Sequence, residues 1–495
     1  MSSSELTTVS KVLKGGSWLY LSSIFTNFFG FIYWFAISVI GGPSVLGYTS
    51  AIIGLASLIN GVLGLGSGIG LQKFVGNCWS RGDRKGLATY FWSTIIFSAL
   101  IYSIVSLAMI LIALSGFSYS KFSPEALIVC SLLVALGFNV NFTALFTAVL
   151  KTNIVALVTI AGNIARLCIG IPLVALGWGW IGASLGYVSH YFIAIVLYLF
   201  YSRKYAEKKL VFSTRALFNV LKAGVVSWLP RVVMILGQWL GVLVVFGSAS
   251  AVETGAYYVA FMISSVVVGF GTSITTLLLP VLSGLADGRK RVCWNTLKIS
   301  YAAILPLVLT LIIYPWLPLK LLREEYIAAS NSLVVLLISS LLVIFITAVT
   351  NLLYAYNGYL KIFTIGAASN IPRIFSYFIL VPLYKGYGAA LSFLIGSIVG
   401  FISSAVVSKS IDFHPSYRVI LLLSAIPAAL SSIVWFLFPM QWIIGIPLVV
   451  ILSYLAYIKL GLVSKQETEV ILCTLLPSFI LNKIKITASS SIKKP

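Results

Sequence analysis

The sequence predicts an all-α polytopic membrane protein. About fourteen transmembrane helices form two parallel six-helix repeats plus two C-terminal helices around a central cavity. Three observations predict this. Hydrophobic residues make up 60% of the 495-residue chain, charged residues 9%, and the mean hydropathy is +1.06, more apolar surface than a water-soluble core can hide. Apolar runs of about 20 residues or more, the length that crosses a bilayer as a helix, recur along nearly the whole chain. Landmarks in the first 201 residues return in order after residue 215, at a spacing of 205 to 208 residues. Open sheet edges cannot cross lipid, so the runs read as helices.

Six runs fill the N-terminal half, residues 1–201: 15–40, 45–71, 88–115, 125–150, 154–176 and 180–201. Gly41–Ser44 reads as a tight outer turn, Gln72–Gly86 as a basic inner loop and Gly116–Pro124 as an outer loop. Lys151-Thr152-Asn153 is a short inner turn that folds runs four and five into a hairpin. Residues 202–215 form a basic cytoplasmic linker. The second half, 216–408, holds runs 216–246, 255–282, 294–318, 328–356, 362–383 and 387–408. Two further runs, 419–438 and 441–458, lie in 409–460. Residues 461–495 form a basic tail in which 470–482 reads as an interfacial segment.

The repeat pairs Gly47-Tyr48 with Gly255-Ala256-Tyr257, and Gly82-Asp83-Arg84-Lys85 with Asp287-Gly288-Arg289-Lys290. It also pairs Asn163-Ile164-Ala165-Arg166 with Asn370-Ile371-Pro372-Arg373, and Gly182-Ala183-Ser184-Leu185 with Gly388-Ala389-Ala390-Leu391. Six spans is an even number, so both halves insert the same way, and the pseudo-two-fold axis runs along the membrane normal, as in many secondary transporters.

The formal net charge of +22 is topological. Of 33 Lys and Arg, only Lys121, Lys320, Arg323 and Lys385 fall on the outer side, and Arg166, Arg231 and Arg373 lie within spans. This positive-inside pattern puts both termini in the cytoplasm, with anionic membrane lipids as partners of the basic loops and no soluble domain to bind nucleic acid. No cleavable signal peptide is expected, because the first run is too long for one. Five scattered cysteines support neither a disulfide framework nor a metal site.

All eleven acids map to loops or helix ends. The spans therefore lack the buried carboxylates that commonly relay coupling ions, and no nucleotide-binding motif is present. What remains inside is positive and polar. Asn163 and Arg166 share a helix face with Gly170, and Asn370, Arg373 and Tyr377 repeat that arrangement. Run seven carries Lys222 near its mouth, Arg231 about 13 Å deeper, Pro230 beside it, and Gln238 further along. Asn27 and Trp34 share a face in run one, Asn139 and Thr143 in run four, and Thr347, Asn351 and Tyr354 in run ten. Lys14 sits at the mouth of run one. Three deep arginines without a buried acid call for water or an anionic ligand, and a guanidinium fork suits phosphate oxygens. The competing use of each arginine is structural, locking helices together through carbonyls and amides. His190 is the one titratable group inside a span that could serve coupling.

With fourteen spans, two six-helix halves and a basic linker, the chain resembles the polysaccharide-flippase branch of the multidrug/oligosaccharidyl-lipid/polysaccharide exporter superfamily. The resemblance extends to Lys14-Gly15-Gly16-Ser17-Trp18, Arg81–Lys85, and the Gly-Ala openings of runs six and twelve. It implies a flippase, not an enzyme and without cofactors, that moves a polyprenyl-(di)phosphate-linked oligosaccharide from the cytoplasmic to the outer leaflet of the plasma membrane. A monomer, associated with glycan-assembly enzymes, is the expectation that goes with it. The expected substrate-binding residues are Arg231, Lys222, Lys14, Arg166, Arg373, Asn27, Gln238 and Asn351, with Trp34 and Tyr354 able to stack on sugar rings. The alternative is a multidrug or small-solute antiporter of the same superfamily, which would couple through His190.

Overall fold

A computed structural model describes residues 3–115, 121–205, 211–276, 287–356, 358–437 and 442–463, with side chains from residue 25 onward except at 227, 270, 273–276, 442 and 443. The Lys14 side chain, the middle of the linker, the end of run eight and the expected interfacial segment 470–482 lie outside them. The described chain is built of helices: α1 (Ser3–Leu63), α2 (Ser67–Ser80), α3 (Arg84–Leu114), α4 (Pro124–Ala135), α5 (Val140–Ala148), α6 (Thr152–Leu173), α7 (Gly179–Ser202) and α8 (Thr214–Ser248). There follow α9 (Ala251–Thr276), α10 (Arg289–Ile313), α11 (Trp316–Lys320), α12 (Ser330–Ala355), α13 (Tyr359–Lys409), α14 (Tyr417–Leu437) and α15 (Trp442–Lys459).

Ten described helical stretches are long and apolar enough to cross a membrane. Three of them, Phe25–Leu63, Thr152–Ser202 and Tyr359–Lys409, run to 39, 51 and 51 residues, enough for two crossings each at about 20 residues per crossing. Each is interrupted near its middle. Gly42 (φ 73°) followed by Pro43 breaks α1, Gly177 and Gly179 separate α6 from α7, and Lys385 breaks α13. With the shorter apolar helix Ile444–Lys459, these account for all fourteen apolar runs. The chain is a multi-pass, all-helical membrane protein.

The duplication reaches the backbone. Gly179 (φ 53°, ψ −133°) and Lys385 (φ 52°, ψ −129°) sit at matching positions in the same left-handed conformation. Glycine adopts it freely, whereas the lysine holds it under strain.

Three expectations need correction. Run two does not continue to residue 71: α1 ends at Leu63, the chain turns through Leu65 (φ 45°) and Gly66 (φ 70°), and α2 begins at Ser67. Residues 72–80 of the expected basic loop are therefore helical, and only Arg81–Asp83 turns. Run four is two helices, α4 and α5, joined by a tighter 3₁₀ turn at Gly137–Asn139. Hydropathy alone cannot register a break that stays apolar.

The chain forms two compact units, one of Met1–Val259, Lys320–Ala329 and Asn370–Ser392, the other of Ala260–Leu319, Ser330–Ser369 and Phe393–Pro495. In the first, Phe91, Phe142, Phe146 and Tyr198 form a buried aromatic core. α1 lies against α8 along a seam of small residues, as in many membrane helix pairs. A Cβ on Gly54 would touch Trp239, one on Gly61 would press on Ile235, and the Gly66 and Gly224 backbones come too close for any side chain. The same unit repairs the break in α1. Pro43 has no N–H to offer the Val39 carbonyl one turn back, and Arg323 Nε donates to that oxygen at 2.9 Å. Arg323 Nη2 donates to Ile40 O (3.3 Å), and the Tyr326 hydroxyl to Ser38 O (3.2 Å).

In the second unit α10 packs on α12 and α14. Tyrosine hydroxyls tie neighbouring helices to their carbonyls, Tyr301 to Leu341 (2.8 Å), Tyr454 to Ala303 (3.1 Å) and Tyr457 to Leu423 (2.5 Å).

Candidate functional site

Two helix breaks of the first unit, at Gly64–Gly66 and Gly137–Asn139, meet at a cavity of about 380 Å³. Its wall takes Asn60 from the end of α1, Gly68 and Gln72 from α2, Asn139 and Thr143 from the 3₁₀ turn and α5, and Trp228 and Arg231 from α8. Each break leaves helix-end groups to satisfy, and side chains do so. Trp228 Nε1 donates to the carbonyls of Gly61 (3.0 Å) and Val62 (3.1 Å), and the Tyr102 hydroxyl to Asn60 O (3.1 Å). Asn60 Nδ2 reaches Leu133 O in α4 (3.4 Å). Ser67 Oγ donates to Asn141 Oδ1 (2.8 Å), whose Nδ2 donates to Ser98 Oγ (2.9 Å), locking α2, α5 and α3 together.

Among the described residues lining this cavity, Arg231 is the one charged side chain, and none is acidic. The start of α2 faces the same space, adding the partial positive charge of a helix N-terminus. An arginine, a helix N-terminus and three amide side chains make a wall that accepts an anion and hydrogen-bonds polar groups around it.

The other expected residues are placed as follows. Lys222 and Gln238 are exposed on α8, either side of Arg231, and neither lines the cavity. α8 continues as helix through Pro230. Asn27 is exposed on α1. Asn351 is half-buried and belongs to the second unit. Trp34 does not present a free ring to a sugar, because Tyr258 (4.7 Å) and Tyr187 (5.6 Å) enclose it, whereas Tyr354 is exposed.

Arg166 and Arg373 are buried in matching niches, 5% and 7% exposed, and neither lines the cavity. The Arg166 guanidinium lies over the rings of Tyr33 (5.0 Å) and Tyr187 (4.8 Å), a cation–π arrangement. Tyr33 fits because Gly170 opposite has no side chain, and its hydroxyl donates to Ala183 O. The second niche swaps the partners. Tyr377 stands on the arginine helix and fits over Gly241 of α8, its hydroxyl donating to Gly237 O at 3.1 Å.

Sequence reasoning missed Asn60, Gln72, Trp228, Tyr102 and Tyr191 as cavity residues. The available signal was the glycine run Gly61, Gly64, Gly66 and Gly68, dense enough to break a helix and let α8 approach.

Comparison with known proteins agrees with this architecture. No curated protein matches the sequence. Among solved structures, the chain is similar to an inward-closed lipid II flippase MurJ, with TM-score 0.75 and 16% identity over 89% of this chain and 98% of that one. It is also similar to an inward-facing multidrug resistance MATE family transporter of the MOP superfamily (TM-score 0.55, 16% identity, 78% and 95% covered). A mutant of the Vibrio cholerae MATE transporter VcmN matches at 0.53 and 14% identity over 83% and 99%. At these identities the likeness establishes the fold, that of MOP-superfamily transporters. The family model for polysaccharide biosynthesis proteins matches residues 42–322, more than half the chain and across every helix that builds the cavity. On this match and this fold, the chain belongs to the polysaccharide biosynthesis protein family.

Proposed function

We propose that the protein is a flippase that moves a polyprenyl-(di)phosphate-linked oligosaccharide from the cytoplasmic to the outer leaflet of the plasma membrane by alternating access. The observation that carries this reading is Arg231 on the wall of a polar cavity that holds no acid among its described residues. Family membership and the fold shared with a lipid II flippase support the substrate class. Lys222 and Lys14 attract the lipid diphosphate at the entrance, and Arg231 holds it with bidentate hydrogen bonds. Asn27 and Gln238 offer hydrogen bonds to hydrated sugar, while Arg166 and Arg373 raise the positive potential that draws the anion in. An inside-negative membrane potential favours outward movement of the anion by about 2.3 kcal/mol per charge per 100 mV.

The test measures lipid-linked oligosaccharide on the inner leaflet of cells carrying Arg231→Gln or Lys222→Gln, with protein level monitored. The expected outcome is accumulation at normal protein level, stronger for Arg231→Gln. Normal export by both variants would sink the proposal.

A further inference from the structure

Each repeat is broken between its first two runs, and the contacts at the two breaks match residue for residue. Ala251 and Gly255 stand 208 residues after Pro43 and Gly47. These four cross backbone to backbone. A Cβ on Gly47 would overlap the Ala251 carbonyl oxygen, and one on Gly255 would overlap that of Pro43. A contact that recurs with its partners exchanged is isologous, so the pseudo-two-fold axis passes through this crossing.

Around the crossing, each repeat reaches over to the other with the loop between its third and fourth runs. Lys121 Nζ donates to Ala249 O at the end of α8, and the Phe122 ring packs on Phe246 at 4.6 Å between centroids. In return, Arg323 Nε donates to Val39 O at 2.9 Å, and the Tyr326 hydroxyl to Ser38 O at 3.2 Å. Residue 246 stands 208 after residue 38, so the aromatic side chain of each loop meets the same position of the opposite repeat. Beyond the crossing, Trp239 lies against Gly54 and stacks on Tyr258 (6.2 Å), which in turn meets Trp34 (4.7 Å). Ser57, three residues past Gly54, already lines the Arg231 cavity. The crossing and its aromatic packing thus sit directly on the outer side of that cavity.

This grip can let go. Lys121 is exposed and Arg323 half-buried, so either cation can exchange its carbonyl for water without stranding a buried charge. The crossing itself is a contact of backbones at small residues, and it parts without unlocking interdigitated side chains.

We infer that Lys121 and Arg323 are paired latches of an outer gate. They hold the crossing shut over the Arg231 cavity, and both release when that cavity opens outward. The purpose of the gate rests on the transport proposed above, whereas its geometry does not.

The test uses the full chain with Ser57→Cys as its sole cysteine, a thiol on the cavity wall. Its reaction with a membrane-impermeant maleimide is followed in intact cells and in inverted vesicles. With both latches present the thiol should react slowly in intact cells. Lys121→Ala and Arg323→Ala should each raise that rate about tenfold, the population shift that losing one charge-assisted hydrogen bond produces. The rate in inverted vesicles should not rise, because gate opening exposes the cavity from one side and unfolding exposes it from both. In a second arm, bridging Lys121→Cys to Ala249→Cys with a short bismaleimide should stop export of the lipid-linked oligosaccharide, which neither cysteine alone does. An unchanged outside rate in the double latch variant, or a rise equal from both sides, would overturn the gate. So would undiminished export through the bridged protein. Normal export by Arg231→Gln beside a raised outside rate in the latch variants would sink the substrate reading and uphold the gate.

Discussion

At the scale of single residues, two matched glycines make opposite predictions. A methyl group at Gly237 would collide with Asn370 Oδ1, whereas one at Gly30 would rest 3.7 Å from Arg166 Nη2. Gly237→Ala must push α8 and α13 apart or rotate Asn370 away from Arg373, an overpacking cost of about 1–3 kcal/mol. The expected outcome is a lowered unfolding midpoint and reduced yield of monodisperse protein for Gly237→Ala, with Gly30→Ala close to wild type. Thermal unfolding followed by size-exclusion chromatography checks both. The Asn-x-x-Arg echo was legible in the sequence as a duplication that places positive charge deep in two helices. The direction each asparagine takes was not legible. Both directions suit a helical asparagine, and the choice belongs to neighbours such as Gly237 that lie 133 residues away in sequence. Trp34 shows the same limit, since its sequence position gives no hint of the tyrosines from α7 and α9 that enclose it.

At the scale of helices, what distinguishes the first unit is where its helices stop. Gly41–Ser44 announced its turn plainly, with two glycines and a proline between apolar runs. The breaks at Gly64–Gly66 and Gly137–Asn139 did not, because leucine, valine and phenylalanine keep the hydropathy high across them while the backbone changes direction. These hidden breaks build the cavity, so the candidate site was the less legible part of the fold. Each break must also satisfy the helix-end carbonyls it exposes, and distant side chains supply the donors. Arg323→Ala removes the donors to Val39 and Ile40 and should cost about 1–3 kcal/mol. A lowered midpoint for Arg323→Ala, measured beside an unchanged one for the neighbouring exposed Leu321→Ala, is the expected pair of results. Equal midpoints would mean that water serves these carbonyls as well as arginine does.

At the scale of the whole molecule, the crossing count was legible because lipid imposes length and apolarity on every span. Run two and run four were over-simplified, but each of the fourteen apolar stretches is helical through most of its described residues. Orientation rests on the lysines and arginines between them and gives a direct prediction. A variant with Cys78 as its sole cysteine, half-buried beside the basic turn Arg81–Asp83, should react with a membrane-impermeant maleimide in inverted vesicles and not in intact cells. Labelling in intact cells would reverse the proposed topology. The cap on α1 carries a further consequence, one of timing. Arg323 lies 284 residues beyond the Val39 oxygen it serves, so the ribosome has inserted the first eight spans before that donor exists. Until then the carbonyls of Ser38, Val39 and Ile40 must borrow partners from water or lipid headgroups at the membrane surface. The opening hairpin of the chain is thus provisional for most of synthesis, and completing it is one of the later events in folding.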